Sequence, residues 1–172
     1  MGGYFKQITD EQADLIRSSA VFFIATADPE LRSGPKNVGP INLSPKGATP
    51  LDIITPNRVA YLDYAGSGNE TARHAEAGGP VTVMVCSFGE ADVAIVRLYG
   101  TARAVPFEES PLSERLFESP AVELKLPQRQ VIEVDVEQTQ TSCGYGVPIM
   151  SFVRERRVAD RGRRFKDAAQ FK

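Results

Sequence analysis

The chain has 172 residues, of which 42% are hydrophobic and 24% are charged, and its formal net charge is −2. A chain of this length buries roughly 70% of its extended surface on folding, so it can form one domain with a full core. This composition excludes an intrinsically disordered chain, and the apolar stretches are too short for a transmembrane helix. No secretory leader is visible, so we expect a cytoplasmic protein without a membrane partner.

Cysteine and histidine are scarce in this sequence. Cys86 and Cys143 lie in no CxxC motif, and His74 is the single histidine. We therefore expect neither a disulfide framework nor a metal centre built on these residues. A phosphate-binding loop of the GxxxxGK[ST] type is also missing. If the chain is an enzyme, a bound organic cofactor is expected to supply the chemistry.

Charge divides the chain into two parts. Residues 154–172 carry eight basic and three acidic side chains, whereas the preceding residues are net acidic. We expect one domain over residues 1–150 and a basic C-terminal tail or helix over residues 151–172. Nucleic acid is not an expected partner, because the tail holds few aromatic residues and no known binding motif.

The first predicted element is a helix that begins after Thr9, because Thr9 and Gln12 are spaced as in a capping box. Strands are then predicted over 21–26, 41–44, 51–54, 59–64, 81–88, 93–105 and 131–137, with short helices over 70–77 and 108–118. The alternation over 131–137 predicts a strand with one solvent-facing side. Helices this few and short cannot connect parallel strands, so we expect a mainly antiparallel barrel.

The segment 59–74 leads from a strand through two glycines into a predicted helix. Backbone N–H groups at such a junction can bind a phosphate, with side-chain donors and a charge added nearby. The candidate phosphate ligands are Ser67, Gly68, Asn69, Thr71 and Arg73. Alternatively, Ser67 and Glu70 form an ordinary capping box and the glycines only turn the chain.

Three further segments carry candidate binding residues. Alternation places Asn42 and Ser44 on one face of a strand, with Lys46 in the turn that follows, although a solvent-facing strand is the simpler interpretation. Arg97 lies among apolar neighbours and is expected to bind an anionic cofactor or to pair with a carboxylate. Cys143 and Tyr145 lie in a glycine-containing segment that suggests close backbone approach, and a packing or pocket-lining role is favoured over catalysis by the thiol.

Together these segments resemble the FMN-binding split-barrel proteins of the pyridoxamine 5′-phosphate oxidase-like family. The resemblance covers about residues 22–148. It rests on the order and spacing of FFIATA (22–27), NLSPKG (42–47), PNRVAYLD (56–63), GSGNETA (66–72), RLYG (97–100) and TSCGYGVP (141–148).

The resemblance implies a six-stranded antiparallel split barrel that forms a homodimer with two FMN sites at the subunit interface. The flavin phosphate would lie near residues 66–73, and the strand with Asn42, Ser44 and Lys46 would follow the ring and ribityl chain. Lys46 or Arg97 would stabilise the anionic reduced ring. Cys143 and Tyr145 would line the pocket from the partner subunit.

The function implied is an FMN-dependent oxidoreductase in which flavin N5 exchanges a hydride with a small-molecule substrate. Vitamin B6 synthesis is not expected, because Gly68, Asn69 and Glu70 stand where the vitamin-producing oxidases have Ser-Arg-Lys. Residues 154–172 also lack a counterpart of their substrate-holding segment. The alternatives are a non-catalytic flavin- or haem-binding module, a deazaflavin-dependent reductase and a structural dimer without a ligand.

Overall fold

Eight β-strands and three short α-helices build the fold of the described residues. A computed structural model of the chain describes residues 2–34, 39–66, 68–91, 93–118 and 127–156. In chain order, the elements are β1 (Gly3–Phe5), α1 (Asp10–Ser18), β2 (Val21–Ala27), β3 (Ile41–Gly47), β4 (Asp52–Thr55), β5 (Arg58–Tyr64), α2 (Glu70–Glu76), β6 (Pro80–Cys86), β7 (Ala94–Pro106), a 3-10 turn (Phe107–Glu109), α3 (Ser113–Glu118) and β8 (Gln128–Cys143).

The strands form one antiparallel sheet in the order β3-β2-β6-β7-β8-β5-β4, and β1 adds to β8. Strands β3 and β4 end this order without pairing to each other, so the barrel is split. The predicted fold class, a mainly antiparallel split barrel, is confirmed. Strands β1 and β4 are short additions to six strands of seven or more residues.

The core lies inside the curved sheet and is mostly aliphatic. Its fully buried members include Ile24, Val83, Val134 and Tyr61, contributed by strands that are distant in the sequence. Helix α1 covers one end of this core with Ile16. The predicted capping box is confirmed: the Gln12 N–H donates to the Thr9 hydroxyl (3.3 Å), and the Thr9 N–H donates to the Gln12 amide oxygen (3.1 Å).

The predicted solvent-facing side of residues 131–137 is present at Asp135 and Glu137 but is wrong at Val131 and Glu133, which are buried. Strand β8 places Ile132 and Val134 in the main core, and Val131 on the opposite face packs in a second cluster with Leu62 and Leu116. Helix α3 supplies Leu116 and so covers, at Val131, the face that the alternation left to solvent. Glu133, on that face, is buried beside the guanidinium of Arg103.

Two predicted features lie outside the described residues. Ser67 is one of them, and the tail beyond residue 156 is the other. Residues 151–156 are described and form no helix or strand. Among the described helices, none has the length and apolar character that crossing a bilayer requires.

Gly100 sits at an irregularity in the pairing of β7 with β8, where Tyr99 pairs with Gln138 and Gly100 with Val136. A Cβ at Gly100 would collide with the backbone carbonyl oxygen of Asp135, whereas a Cβ at Gly146 would meet no atom within 4 Å. A side chain at Gly100 would therefore force β7 and β8 apart.

We expect Gly100→Ala to lower the free energy of unfolding by about 2 kcal/mol or more, because the added methyl group has no room. Gly146→Ala should change it by less than about 0.5 kcal/mol, as an exposed substitution without contacts does. Urea unfolding followed by circular dichroism measures both. Equal stability of the two variants would contradict the tight approach of β7 and β8.

Candidate functional site

Strand β3 presents Asn42, Ser44 and Lys46 on its inner face. The sequence alternation predicts the shared face of Asn42 and Ser44, but the predicted turn at Lys46 is wrong, because β3 continues to Gly47 and pairs there with β2. On β2, the partners of these three inner-face residues are Thr26, Ile24 and Phe22 respectively, and these β2 side chains also point to the core. The alternate residues of β3, among them Ile41 and Leu43, lie on the outer face of the sheet and are 69% and 68% exposed. The polar side chains of β3 therefore lie at the inner edge of the split.

Asn42 is the centre of a hydrogen-bond network at this edge. Its amide nitrogen donates to the hydroxyl oxygens of Thr71 (3.2 Å) and Thr26 (3.4 Å), and its amide oxygen accepts from the Ser44 hydroxyl (3.0 Å). The three predicted residues Asn42, Ser44 and Thr71 are thus brought together, with Thr26 as an additional member. This network holds polar groups in fixed directions beside the split.

His74 connects this network to Arg73. The His74 ring is fully buried, with Nδ1 2.8 Å from the Thr26 hydroxyl and Nε2 3.0 Å from an Arg73 guanidinium nitrogen. Because a guanidinium can only donate, Nε2 accepts and the proton lies on Nδ1. Burial, and then the Arg73 charge, lower the pKa of His74, so the neutral ring is favoured.

The guanidinium of Arg73 contacts the segment between β2 and β3. It contacts the carbonyl oxygen of Gly39 (3.4 Å) and lies 3.8 Å from the buried carboxylate of Asp28. A Cβ at Gly34 would collide with this guanidinium. Arg73 therefore fastens the segment between β2 and β3 to α2.

A charged cluster crosses the split between β3 and β5. The Lys46 ammonium donates to one carboxylate oxygen of Asp63 (3.1 Å), and Arg129 donates through two nitrogens to the other (3.1 and 2.7 Å). The Gln130 amide donates to Asp63 and to Asn69 (both 2.9 Å). We call Lys46, Asp63 and Arg129 the charged cluster; it carries two positive charges and one negative charge.

The Asp63 carboxylate is buried, and its environment keeps it ionised. Burial alone would raise its pKa, but the hydrogen bonds from Arg129 and the positive charge of Lys46 outweigh burial and hold the pKa below its usual value. The Lys46 and Arg129 side chains remain 23% and 27% exposed. The cluster is consequently anchored inside and reachable from outside.

Tyr61 adds an unsatisfied polar group beside this cluster. Within the described part of the chain, its hydroxyl is the single buried side-chain polar atom without a hydrogen-bond partner. The Lys46 ammonium lies 5.5 Å from the centre of the Tyr61 ring, and the Phe22 ring packs edge-on against it. Burial raises the pKa of Tyr61, so the phenol remains protonated.

Helix α2 follows the predicted phosphate segment directly: it begins at Glu70 with Asn69 as its N-cap, and Asn69 makes no side-chain cap hydrogen bond. The alternative capping box involves Ser67, which lies outside the described residues. A Cβ at Gly68 would collide with the Glu70 carboxylate, which lies close to Gly68. The negative charge of Glu70 therefore lies beside the predicted phosphate segment.

Arg97 lies on the opposite face of the sheet from Lys46. In register, it pairs with Met84 of β6, which pairs with Phe23 on the outer face of β2. Its guanidinium donates to the Ser142 hydroxyl (2.8 Å), and across the described residues no carboxylate is within ion-pair distance. The described residues therefore supply Ser142 and no carboxylate as the partner of Arg97.

Cys143 and Tyr145 lie near the end of β8 and are exposed, Tyr145 by 87%. The predicted close backbone approach occurs at Gly144, where a Cβ would be 2.9 Å from the Ala94 nitrogen. Gly144 thus approaches the chain's own strand β7. Neither side chain contacts the charged cluster within one subunit.

The sequence interpretation missed Asp63, Arg129, Gln130 and Tyr61. Asp63 offered a weak signal, because a carboxylate between Leu62 and Tyr64 in a buried strand needs a partner. Arg129 and Gln130 offered none, since they meet Asp63 only through the pairing of β5 with β8, across more than 60 positions of sequence.

A separate cavity of about 1250 Å³ lies between α1, the β6–β7 connection and residues 150–156. Its walls include Leu15, Phe88 and Phe152 together with the buried thiol of Cys86. Burial raises the pKa of Cys86, which keeps the thiol protonated. None of the predicted site residues lines this cavity.

Comparison with known proteins assigns the family. A family model described as pyridoxamine 5′-phosphate oxidase matches residues 8–143. The chain belongs to the pyridoxamine 5′-phosphate oxidase family. The resemblance found in the sequence is thereby confirmed.

A relative in Aspergillus flavus, the pyridoxamine 5′-phosphate oxidase family protein ustO, is 32% identical over 149 residues. The match covers 86% of this chain and 56% of that protein, so the chain spans little more than half the relative's length.

Among solved structures, HupZ of Group A Streptococcus matches with a TM-score of 0.55 at 20% identity, over 77% of this chain and 91% of that one. A pyridoxinephosphate oxidase family protein of Clostridium acetobutylicum matches with a TM-score of 0.52 at 10% identity, over 77% and 86%. These structures support the shared fold.

We expect Asp63→Asn to lower the free energy of unfolding by about 2 kcal/mol at pH 7, because it leaves Lys46 and Arg129 facing each other without an anion. The Asp63 pKa is depressed in the folded state, so its contribution is present above the unfolded carboxyl pKa of about 3.9 and is lost as the pH falls through the lower folded value. Denaturation at several pH values should show the two proteins converging in acid.

The matched control is Asp14→Asn, which removes an exposed pair with Arg17. Its effect should stay below about 0.5 kcal/mol. A difference between wild type and Asp63→Asn that persists unchanged in acid would contradict an ionised, stabilising Asp63.

Proposed function

We propose that this chain is a flavin-dependent oxidoreductase that binds FMN along the inner face of β3 and exchanges a hydride between flavin N5 and a small-molecule substrate. The observation that carries the proposal is the charged cluster beside the polar face of β3. Two cations share one carboxylate there, so the cluster keeps one net positive charge for an anionic ligand. The family assignment supports the proposal.

The residues present fit a flavin. Its pyrimidine edge and ribityl hydroxyls carry donors, and the remaining lone pairs of the Asn42 amide oxygen and the Ser44 hydroxyl oxygen can accept from them on one strand face. The spare N–H groups of Lys46 offer further hydrogen bonds nearby. A row of this kind on rigid strands orients a planar ligand more strongly than a loop would.

FMN, when bound, supplies a ring that accepts and releases a hydride at N5. In this proposal Lys46 places its charge where the reduced ring gathers negative charge, so that the reduced form is favoured. Asp63 keeps the Lys46 ammonium at a fixed place through a 3.1 Å contact. Asn42, held by Thr26 and Thr71, fixes the hydrogen-bonding direction of the strand face.

We also propose that two copies of the chain form a homodimer through the outer face of β3, β2, β6 and β7. Ile41 and Leu43 on this face are more than two-thirds exposed, and the paired residues Phe23 and Met84 lie on the same face. Contiguous apolar surface of this kind favours association. Arg97 lies on the same face, so it would enter the interface and could reach a flavin bound to the partner.

We expect the purified protein to bind FMN with one flavin per chain and to turn yellow. Lys46→Met should weaken FMN binding about tenfold, because a charged hydrogen bond is lost, and the exposed Lys6→Met should leave it unchanged. Flavin fluorescence quenching measures both affinities, and mass spectrometry identifies ligand released from freshly purified protein.

Anaerobic addition of NADH or NADPH then tests oxidoreductase activity, because reduction bleaches the flavin and an acceptor restores the colour. Protein that stays colourless with excess FMN would contradict the cofactor. A yellow protein that no donor reduces would favour the non-catalytic flavin-binding module.

We expect Leu43→Glu to convert the dimer into a monomer, because a carboxylate would be buried opposite apolar side chains. Leu31→Glu, at another exposed leucine outside the sheet, is the matched control and should remain dimeric. Analytical ultracentrifugation at micromolar concentration measures both. A wild-type protein that sediments as a monomer would contradict the proposed interface.

A further inference from the structure

The segment before α2 lacks the positive charge that a phosphate needs. Residues 66–69 include no basic side chain, and the Glu70 carboxylate lies close to Gly68. Arg73, the nearest cation in sequence, is engaged by Asp28, Gly39 and His74. Helix α2 has seven residues and an acidic first turn, so its dipole adds little. A phosphate held at this segment would need a cation from another element.

Strand β8 brings such a cation to the segment. The pairing of β5 with β8 is irregular here: Asp63 pairs with Gln130 and Tyr64 with Gln128, so Arg129 is the extra residue of a β-bulge. Bulges redirect a side chain, and this one lets Arg129 reach the Asp63 carboxylate. The next residue, Gln130, is hydrogen-bonded to Asn69 at the end of the segment.

Arg129 retains binding capacity after its contact with Asp63. Its Nε and one terminal nitrogen both donate to the same Asp63 oxygen, which leaves the other terminal nitrogen unused among the described residues. Lys46 uses one of its N–H groups on the second Asp63 oxygen. Both side chains are about a quarter exposed, so a ligand oxygen can approach them from outside.

We propose that Arg129 binds the phosphate monoester of the ligand in this chain, with Asp63 as the positioning residue that holds the guanidinium beside Gln130, the partner of Asn69. This inference rests on the proposed flavin function for the identity of the ligand. The phosphate is thus recognised from the bulge of β8, in place of cations on the segment itself. The unused terminal nitrogen of Arg129, together with the second N–H of the terminal nitrogen that contacts Asp63, can donate two parallel hydrogen bonds to phosphate oxygens.

The test compares FMN with riboflavin, which differs by the phosphate alone. We expect the wild type to prefer FMN, and Arg129→Gln to reduce this preference about tenfold or more while riboflavin affinity stays within twofold. Arg129→Lys should keep part of the preference, because it restores the charge but not the fork. Fluorescence quenching gives the dissociation constants of both flavins for each variant.

The matched control is Arg115→Gln. Arg115 also donates through two nitrogens to a single aspartate, Asp52, but it lies on the outside of the barrel. The preference of the Arg115→Gln variant for FMN over riboflavin should equal that of the wild type. An equal loss of FMN and riboflavin affinity in Arg129→Gln would overturn the inference, as would an unchanged preference.

Failure of the proposed function can be distinguished from failure of this inference. If the wild type binds neither flavin, the proposed function is wrong. A titration with inorganic phosphate then tests separately whether Arg129 binds an anion. A saturable shift of the Arg129 Nε–H resonance on addition of inorganic phosphate, without the same shift for Arg115, would support the site. No shift in that titration would overturn it.

Discussion

Because β3 and β4 are the two ends of the described sheet, side chains have to hold β3 beside β5 across the split. Asp63 provides that contact through Lys46, and Thr49 assists by donating to the Leu62 carbonyl oxygen (3.1 Å). Burying a carboxylate is costly unless donors surround it, and here Lys46, Arg129 and Gln130 all donate to Asp63. The contact that keeps the split narrow thereby gathers cations beside it.

The polar face of β3 depends on a second set of contacts behind it. The neutral His74 ring donates from Nδ1 to Thr26, and Thr26 in turn accepts from Asn42. Arg73 fixes the tautomer from the other side of the ring. A change at Arg73 would therefore reach the candidate site through His74 and Thr26.

Local patterns in the sequence predicted what depends on neighbouring residues. The alternation of residues 41–44 predicted that Asn42 and Ser44 share one face of β3, and the spacing of Thr9 and Gln12 predicted the start of α1. The contact of Arg129 with Asp63 could not be predicted, because it depends on the register and bulge of two distant strands. The burial of Val131 on the second face of β8 was missed for a similar reason, because the six-residue helix α3 covers it.

The division of polar residues between the two faces of the sheet has a consequence for a dimer. Lys46 and Arg129 serve the inner face, where Asp63 limits their net charge, whereas Arg97 lies outside with Ser142 as its described partner. An arginine buried in an apolar interface without an anion is unfavourable. A negative ligand at the interface, or a carboxylate of the partner, would remove that cost. Association through this face and the binding of an anionic flavin would then stabilise each other, because each supplies the charge or the burial that the other lacks.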